Sequence, residues 1–199
     1  MTRSSGTILD GAKRRPAGLG TGTGPGNHPA IHIVPPRGRL GVMLVGLGAV
    51  STTFIAGVLA IRKGLAQPTG SLTQLGTVRL GKRSEHRSPR IRDLVPLAEL
   101  EDLEFGAWDI FPDDAYEAAA HAGVLDAALL ERLRPELEAI EPWPAVFDRR
   151  VVTRINGPNV KPGESKRQLA EQLRADMRAF IRARGLERAV VIWCASTEA

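Results

Sequence analysis

One cysteine, Cys194, stands in a chain of 199 residues. A single thiol cannot build an internal disulfide framework, which fits a reducing cytoplasm, and cannot by itself supply a thiolate zinc site. The four histidines, His28, His32, His86 and His121, have no neighbour at metal-ligand spacing, so no metal is expected. Charge of one sign is missing from the body. The net +5 arises within residues 1–39, which carry six bases (Arg3, Lys13, Arg14, Arg15, Arg37, Arg39) against Asp10; residues 40–199 carry 21 of each sign. That basic segment has no aromatic ring to stack on a base and no recognition motif, which argues against a nucleic-acid partner. It also lacks the apolar centre of a secretory signal. Its Gly, Thr and Pro from Gly18 to Pro29 predict a disordered tail over residues 1–30.

What is present is enough apolar residue, 43% against 25% charged, for one domain with a core. Leu40 to Ile61 is 22 residues without a charge, flanked by bases at both ends. That is long enough to span a bilayer. Its character changes midway, however. Leu40 to Val45 reads as a strand, Gly46 to Gly48 breaks any helix, and Ser51, Thr52 and Thr53 supply hydroxyls where a helix of about Thr52 to Lys63 would start. Strand, turn and helix is therefore preferred to a membrane span, and no membrane partner is expected.

Further along, Gln67 to Arg92 is polar and glycine-punctuated, with a short strand expected around Thr77 to Leu80 and bases opposed only by Glu85. Asp93 to Glu141 reverses the sign, with fourteen acids against Arg132 and Arg134. Here the patterning predicts a strand around Phe105 to Ile110, a helix near Asp114 to Ala122 and another from Asp126 to Ile140, kinked or interrupted at Pro135. A strand at Ala145 to Phe147 follows the Pro-Trp-Pro turn. The clearest helix carries Leu169, Leu173, Met177, Phe180 and Ile181 on one stripe, with Ser165 to cap it and Gly185 to end it. A buried-type strand, Ala189 to Trp193, completes a pattern that reads as α/β with a parallel sheet. So apolar a strand needs cover on both faces, and the chain is read as opening a nucleotide-binding sheet and breaking off partway through it.

The turn from Gly46 to Thr53 suits a pyrophosphate: glycines admit close backbone approach, and the helix start presents amides to anionic oxygens. Ser51 stands where the third glycine of G-x-G-x-x-G would be, and the usual acid about 20 residues on is absent, so a plain tight turn is the other reading. Asp109, after an apolar strand, could accept from both ribose hydroxyls; capping or turn chemistry is the alternative. Asp113 and Asp114 read as a helix start. Cys194 has no histidine nearby in sequence and reads as a buried, inert thiol. The arginines from Arg79 to Arg92 either hold a phosphate or form a solvated loop paired with the acidic segment that follows.

Four ordered motifs, Gly41 to Gly57, Gly70-Ser71-Leu72-Thr73-Gln74, Trp108-Asp109-Ile110 and Trp193 to Glu198, resemble bacterial members of the inositol-3-phosphate synthase family, also called myo-inositol-1-phosphate synthase. The similarity runs from about Ile31 to the last residue. It implies an NAD-dependent isomerase that converts D-glucose 6-phosphate to 1D-myo-inositol 3-phosphate by oxidation at C5, intramolecular aldol closure and reduction. Position by position, it implies that Gly46, Gly48, Ala49, Val50 and Ser51 lie along the NAD diphosphate and that Asp109 takes the adenosine ribose. Ala145 and Val146 would line the adenine side, and Cys194, Ala195, Ser196 and Thr197 would pass near the nicotinamide half. Family members continue for roughly as many residues again, and the resemblance places their catalytic lysines and acids, with the sheet that forms a homotetramer, in that part. Residues 31–199 are accordingly read as the N-terminal part of an incomplete Rossmann-like NAD-binding domain, truncated before the catalytic and tetramerisation domain. No catalytic residue is nominated, and the chain alone is expected to be inactive. A stand-alone NAD-binding module is the alternative.

Overall fold

The computed structural model describes residues 36–195, so the tail over residues 1–30 and the site candidates Ser196 and Thr197 lie outside the described residues. Four parallel strands form one sheet: β1 (Leu40–Val45), β2 (Leu103–Asp109), β3 (Trp143–Pro144) and β4 (Arg188–Trp193), in the order β3-β2-β1-β4. Leu40 pairs with Leu103 on one side of β1 and with Arg188 on the other. The chain thus builds outward from β1 through β2 to β3, then returns to add β4 on the opposite side. The reversal between β1 and β4 is a topological switch point, where loops leave the sheet in opposite directions and open a crevice at its carboxyl edge.

Strand alternation sets the layers. Val42 and Leu44 of β1, with Leu103, Phe105 and Ala107 of β2, face α1 (Ala49–Arg62), α4 (Ala115–Ala122) and α5 (Ala127–Glu138). Met43 and Trp108 point the other way, onto Leu173, Met177, Phe180 and Ile181 of α6 (Lys166–Arg184). The stripe read from the sequence is therefore core contact with the sheet. Each fully buried Leu, Ile or Phe in these layers contributes about 1.5–3 kcal/mol, and Ile55, Leu133 and Leu137 are wholly excluded from solvent.

Four local expectations are corrected. α1 begins at Ala49 and not at Thr52. The Ser51 hydroxyl donates back to the Gly46 carbonyl at 2.5 Å and that of Thr52 to Gly48 at 3.0 Å, so these residues occupy the first turn and do not cap it. Pro135 does not interrupt α5, because it lies on the exposed face with Glu131, whose freed carbonyl water can satisfy, while Leu130, Leu133 and Leu137 face the core. The third strand is Trp143–Pro144 and not Ala145 to Phe147. The Trp143 ring fills the space that Gly106 leaves open and packs 5.5 Å from Trp108 and 5.4 Å from Phe180. Thr77 to Leu80 forms no sheet strand. It pairs antiparallel with the segment ending at Arg90, Val78 donating to Pro89 and Leu80 to Arg87, in an arm between the short α2 (Leu72–Leu75) and α3 (Ile91–Leu94).

The uncharged run divides as expected into β1, a turn and α1, and among the described residues no helix is long and apolar enough to cross a membrane. Among those residues, one base of the arginine-rich loop is ion-paired with the acidic segment, Arg92 with Glu99 at 2.9 Å. Arg62 at the end of α1 donates to the carbonyls of Leu100 and Leu103, and burial lowers its pKa. β4 is the outer strand on its side, and Val190, Val191, Ile192 and Trp193 are exposed there.

Candidate functional site

Because all four strands are parallel, their carboxyl ends deliver four segments to one edge: Gly46–Gly48, Asp109–Phe111, Ala145–Val146 and Cys194–Ala195. The two glycines of the first segment are there for different reasons. Gly46 has φ +93°, and a Cβ on it would stand 2.8 Å from the Ala195 Cα. Its amide donates to the Trp108 carbonyl at 2.8 Å. The fold itself therefore requires glycine at 46. Gly48 has φ −80° and ψ −160°, open to any residue, and a Cβ there would meet nothing within 4 Å. No contact among the described residues explains its missing side chain.

Gly48 is also the N-cap of α1. Asp114, Asp126 and Ser165 each accept an amide hydrogen at the start of α4, α5 and α6, whereas no side chain caps α1 and no acid lies in its first turn. The positive end of this helix dipole opens beside a cavity of about 510 Å³ walled by Leu47, Gly48, Ala49, Asp109, Phe111 and the exposed side of α4. An uncapped start facing a cavity is an arrangement that anionic oxygens can satisfy.

Asp109 ends β2 on the wall of that cavity. One carboxylate oxygen accepts the Leu47 amide at 2.5 Å and the other accepts the Phe111 amide at 2.9 Å. It therefore fixes the middle residue of the glycine turn from across the sheet, the turn chemistry that the sequence left open. Each oxygen keeps a second lone pair for another donor. Farther out on the wall, His121 Nδ1 lies 3.0 Å from an Asp113 carboxylate oxygen. Asp113, read from the sequence as part of a helix start, is thus a cavity residue, while Asp114 caps α4 in a complete capping box with Glu117.

Of the sequence candidates, Gly48, Ala49 and Asp109 line the cavity. Ser51 is buried behind the turn, while Val50 projects into solvent on the first turn of α1. Ala145 is buried and Val146 exposed; both reach the same edge without lining the cavity. Cys194 is half-buried, its amide donating to the Val45 carbonyl at 2.9 Å, and Ala195 packs its backbone on Gly46.

Sequence reasoning missed the segment Gly157-Pro158-Asn159. The Asn159 side-chain amide donates to the Asp109 carbonyl at 3.0 Å, and its main chain joins Ile110 to Ala145. The Gly-Pro pair was the available signal of a tight approach.

Residues 40–199 match the family model described as myo-inositol-1-phosphate synthase, an NAD-binding model. The chain is 52% identical over 167 residues to inositol-3-phosphate synthase 1 of Bacteroides thetaiotaomicron, a match covering 83% of this chain and 38% of that protein. It is 40% identical over 176 residues to the Bos taurus protein of the same name, covering 80% of this chain and 31% of the other. The crystal structure of inositol-3-phosphate synthase from Caenorhabditis elegans superposes with a TM-score of 0.75 at 31% identity, over 83% of this chain and 36% of that one. The chain spans about a third of the length of the relatives it matches.

Proposed function

Since the chain belongs to the myo-inositol-1-phosphate synthase family, we propose that the carboxyl edge of its sheet holds NAD and contributes the dinucleotide half of an inositol-3-phosphate synthase. The observation that carries this reading is Gly48: a glycine with no internal reason to be one, at the open start of α1, on the wall of a cavity that it shares with a strand-end carboxylate. A diphosphate approaching these amides needs the room that a Cβ would take.

When bound, NAD supplies reversible hydride acceptance, the chemistry that lets a secondary alcohol pass through a ketone. The chain's own residues bind and orient. The open amides at the start of α1, from Gly48 to Ser51, take the diphosphate, the Gly46 and Leu47 amides being held by the Trp108 carbonyl and the Asp109 carboxylate, and the remaining lone pairs of Asp109 accept the adenosine ribose hydroxyls. Ala145 and Val146 are assigned to the adenine side, and Cys194, Ala195, Ser196 and Thr197 to the nicotinamide half. In this reading residues 1–30 are a tail, and residues 31–199 are the N-terminal part of an NAD-binding domain.

The reaction of the whole enzyme is conversion of D-glucose 6-phosphate to 1D-myo-inositol 3-phosphate, in the cytoplasm, by a homotetramer. The enolate of the cyclisation step needs a cation beside it. Among the described residues no lysine or arginine lines the cavity, which favours a second reading for the chain on its own: it binds the dinucleotide without turning sugar over.

Titration of the purified 199-residue chain with NAD and with AMP, followed by amide NMR shifts of Leu47 to Ser51, tests the site. An isomerase assay on the same sample tests the division of labour. Shifts without turnover are expected. No response to either ligand refutes the dinucleotide site, and measurable isomerase activity refutes the assignment of catalysis elsewhere.

A further inference from the structure

The segment Gly157–Lys161 is threaded between the ends of β2 and β3. Asn159 donates its main-chain amide to the Ile110 carbonyl at 2.8 Å, and its carbonyl accepts the Ala145 amide at 3.0 Å. Lys161 then donates to the Ala145 carbonyl at 2.8 Å, so that Val160 bridges Ala145 in parallel. A Cβ on Gly157 would stand 2.1 Å from the Ile110 carbonyl oxygen, an approach that only glycine allows. Lys161 is nearly buried, and its ammonium pairs at 2.7 Å with an Asp176 carboxylate that also accepts the Trp108 indole N–H at 2.8 Å. The segment is therefore anchored to the sheet and to α6 on both sides of Asn159.

From this anchored position the half-buried Asn159 side chain turns back onto the end of β2. It spends its two N–H donors on the Asp109 carbonyl at 3.0 Å and the Phe111 carbonyl at 3.4 Å, the two residues that bracket the strand-end turn. The same turn is closed from inside by the Asp109 carboxylate on the Phe111 amide. We propose that Asn159 is a positioning residue for the adenosine site: by holding the carbonyls of Asp109 and Phe111 it fixes the direction in which the Asp109 carboxylate meets the ribose hydroxyls. The inference rests on the assignment of Asp109 to the ribose made above.

A role in positioning and a role in mere stability separate when the ligand is varied. Deleting the donor in Asn159→Ala frees the turn, and the expected result is about five- to tenfold weaker AMP binding, the size of one hydrogen bond's worth of order. 2′,3′-Dideoxy-AMP lacks the hydroxyls that Asp109 would accept, so its affinity is expected to stay within about twofold of the unmodified chain. Arg62→Ala, at the far end of α1, serves as the stability comparison: it lowers Tm and leaves both affinities unchanged. If Asn159→Ala does not unfold cooperatively, Asn159→Ser, which keeps a shorter donor, takes its place in the same titrations. Equal weakening of AMP and the dideoxy analogue, or no weakening of either, overturns the positioning role while leaving the site intact. Failure of the unmodified chain to bind AMP overturns the site on which the role depends.

Discussion

The two glycines of the turn make opposite predictions for one substitution. In Gly46→Ala the new methyl lies 2.8 Å from the Ala195 Cα and 2.9 Å from its amide nitrogen, and the backbone stays at φ +93°. The left-handed conformation costs roughly 1–2 kcal/mol for a residue with a Cβ, and the clash with main chain adds to it, so a loss of about 2–4 kcal/mol of stability is expected. In Gly48→Ala the backbone is already extended and nothing lies within 4 Å. Losing glycine at an N-cap costs up to about 1 kcal/mol. Restricting the unfolded chain returns about 0.4–1 kcal/mol, so Tm is expected to move by only a few degrees in either direction. Ligand binding should reverse the order of severity: the methyl at 48 occupies the face from which a diphosphate approaches. The assay is denaturant unfolding together with NAD and ADP titration of each variant. Unchanged ADP affinity in a stable Gly48→Ala chain would refute the argument that this glycine is kept for a ligand.

Other consequences follow from the same geometry. Leu133→Ala, at a wholly buried position on α5, should cost about 2–5 kcal/mol in urea unfolding, with the m-value unchanged. Removing the ammonium in Lys161→Met leaves the Asp176 carboxylate partly buried with only the Trp108 indole, and a loss of about 3–5 kcal/mol is expected in urea unfolding. The Arg150 side chain and amide hold the Asp148 carboxyl down to about 2. A depressed acid stabilises the fold above its unfolded value and loses that contribution as pH falls from about 4 to about 2. Both groups are on the surface, so NMR titration should show the pKa of Asp148 return toward 3.8 in Arg150→Gln or in high salt. On β4, Val191→Lys places a charge on an exposed edge strand and should reduce any concentration-dependent association seen by light scattering.

The parts of the fold legible in the sequence were those in which one residue type serves one local need. The amphipathic stripe of α6 and the unbroken apolar run of β1 each serve a single packing need, and both are found where the sequence puts them. The errors came where tertiary contact outweighed local preference. Trp143-Pro144 reads as a turn by its prolines, yet the Trp143 ring finds its place against Gly106, Trp108 and Phe180, and that packing carries the dipeptide into the sheet. Ser51 and Thr52 read as caps, but α1 already starts at Ala49, so their hydroxyls lie within its first turn and donate back to the Gly46 and Gly48 carbonyls, leaving the first amides uncapped. At the site, Gly48 and Asp109 could be singled out because a glycine turn and a strand-end acid are both rare and chemically pointed. The cavity residues Asp113 and His121 could not, since nothing in their spacing marks the wall that α4 adds beside the Gly48 turn.

Asp109 shows why the site's most informative residue was also its most ambiguous. Two readings of it, turn chemistry and ligand binding, compete only if a carboxylate has one thing to do. Here its oxygens hold the amides of Leu47 and Phe111, which ties the turn after β1 to the end of β2, while Gly46 donates to the Trp108 carbonyl one residue earlier. Two neighbouring strand ends are thereby joined by two hydrogen bonds, with a third closing the turn after β2, before any ligand arrives. Ordering a loop on binding subtracts from affinity about as much as a loose hydrogen bond contributes, so a carboxylate that has already fixed its surroundings is better placed to accept ribose hydroxyls than one that is free. In the proposed dinucleotide site, the turn-holding role is a condition of the binding role. Substitution by Asn, which keeps the shape and one acceptor, should loosen the Leu47 amide in hydrogen exchange and weaken AMP together. If exchange quickens and AMP affinity does not change, the two roles are separate and the ribose lies elsewhere.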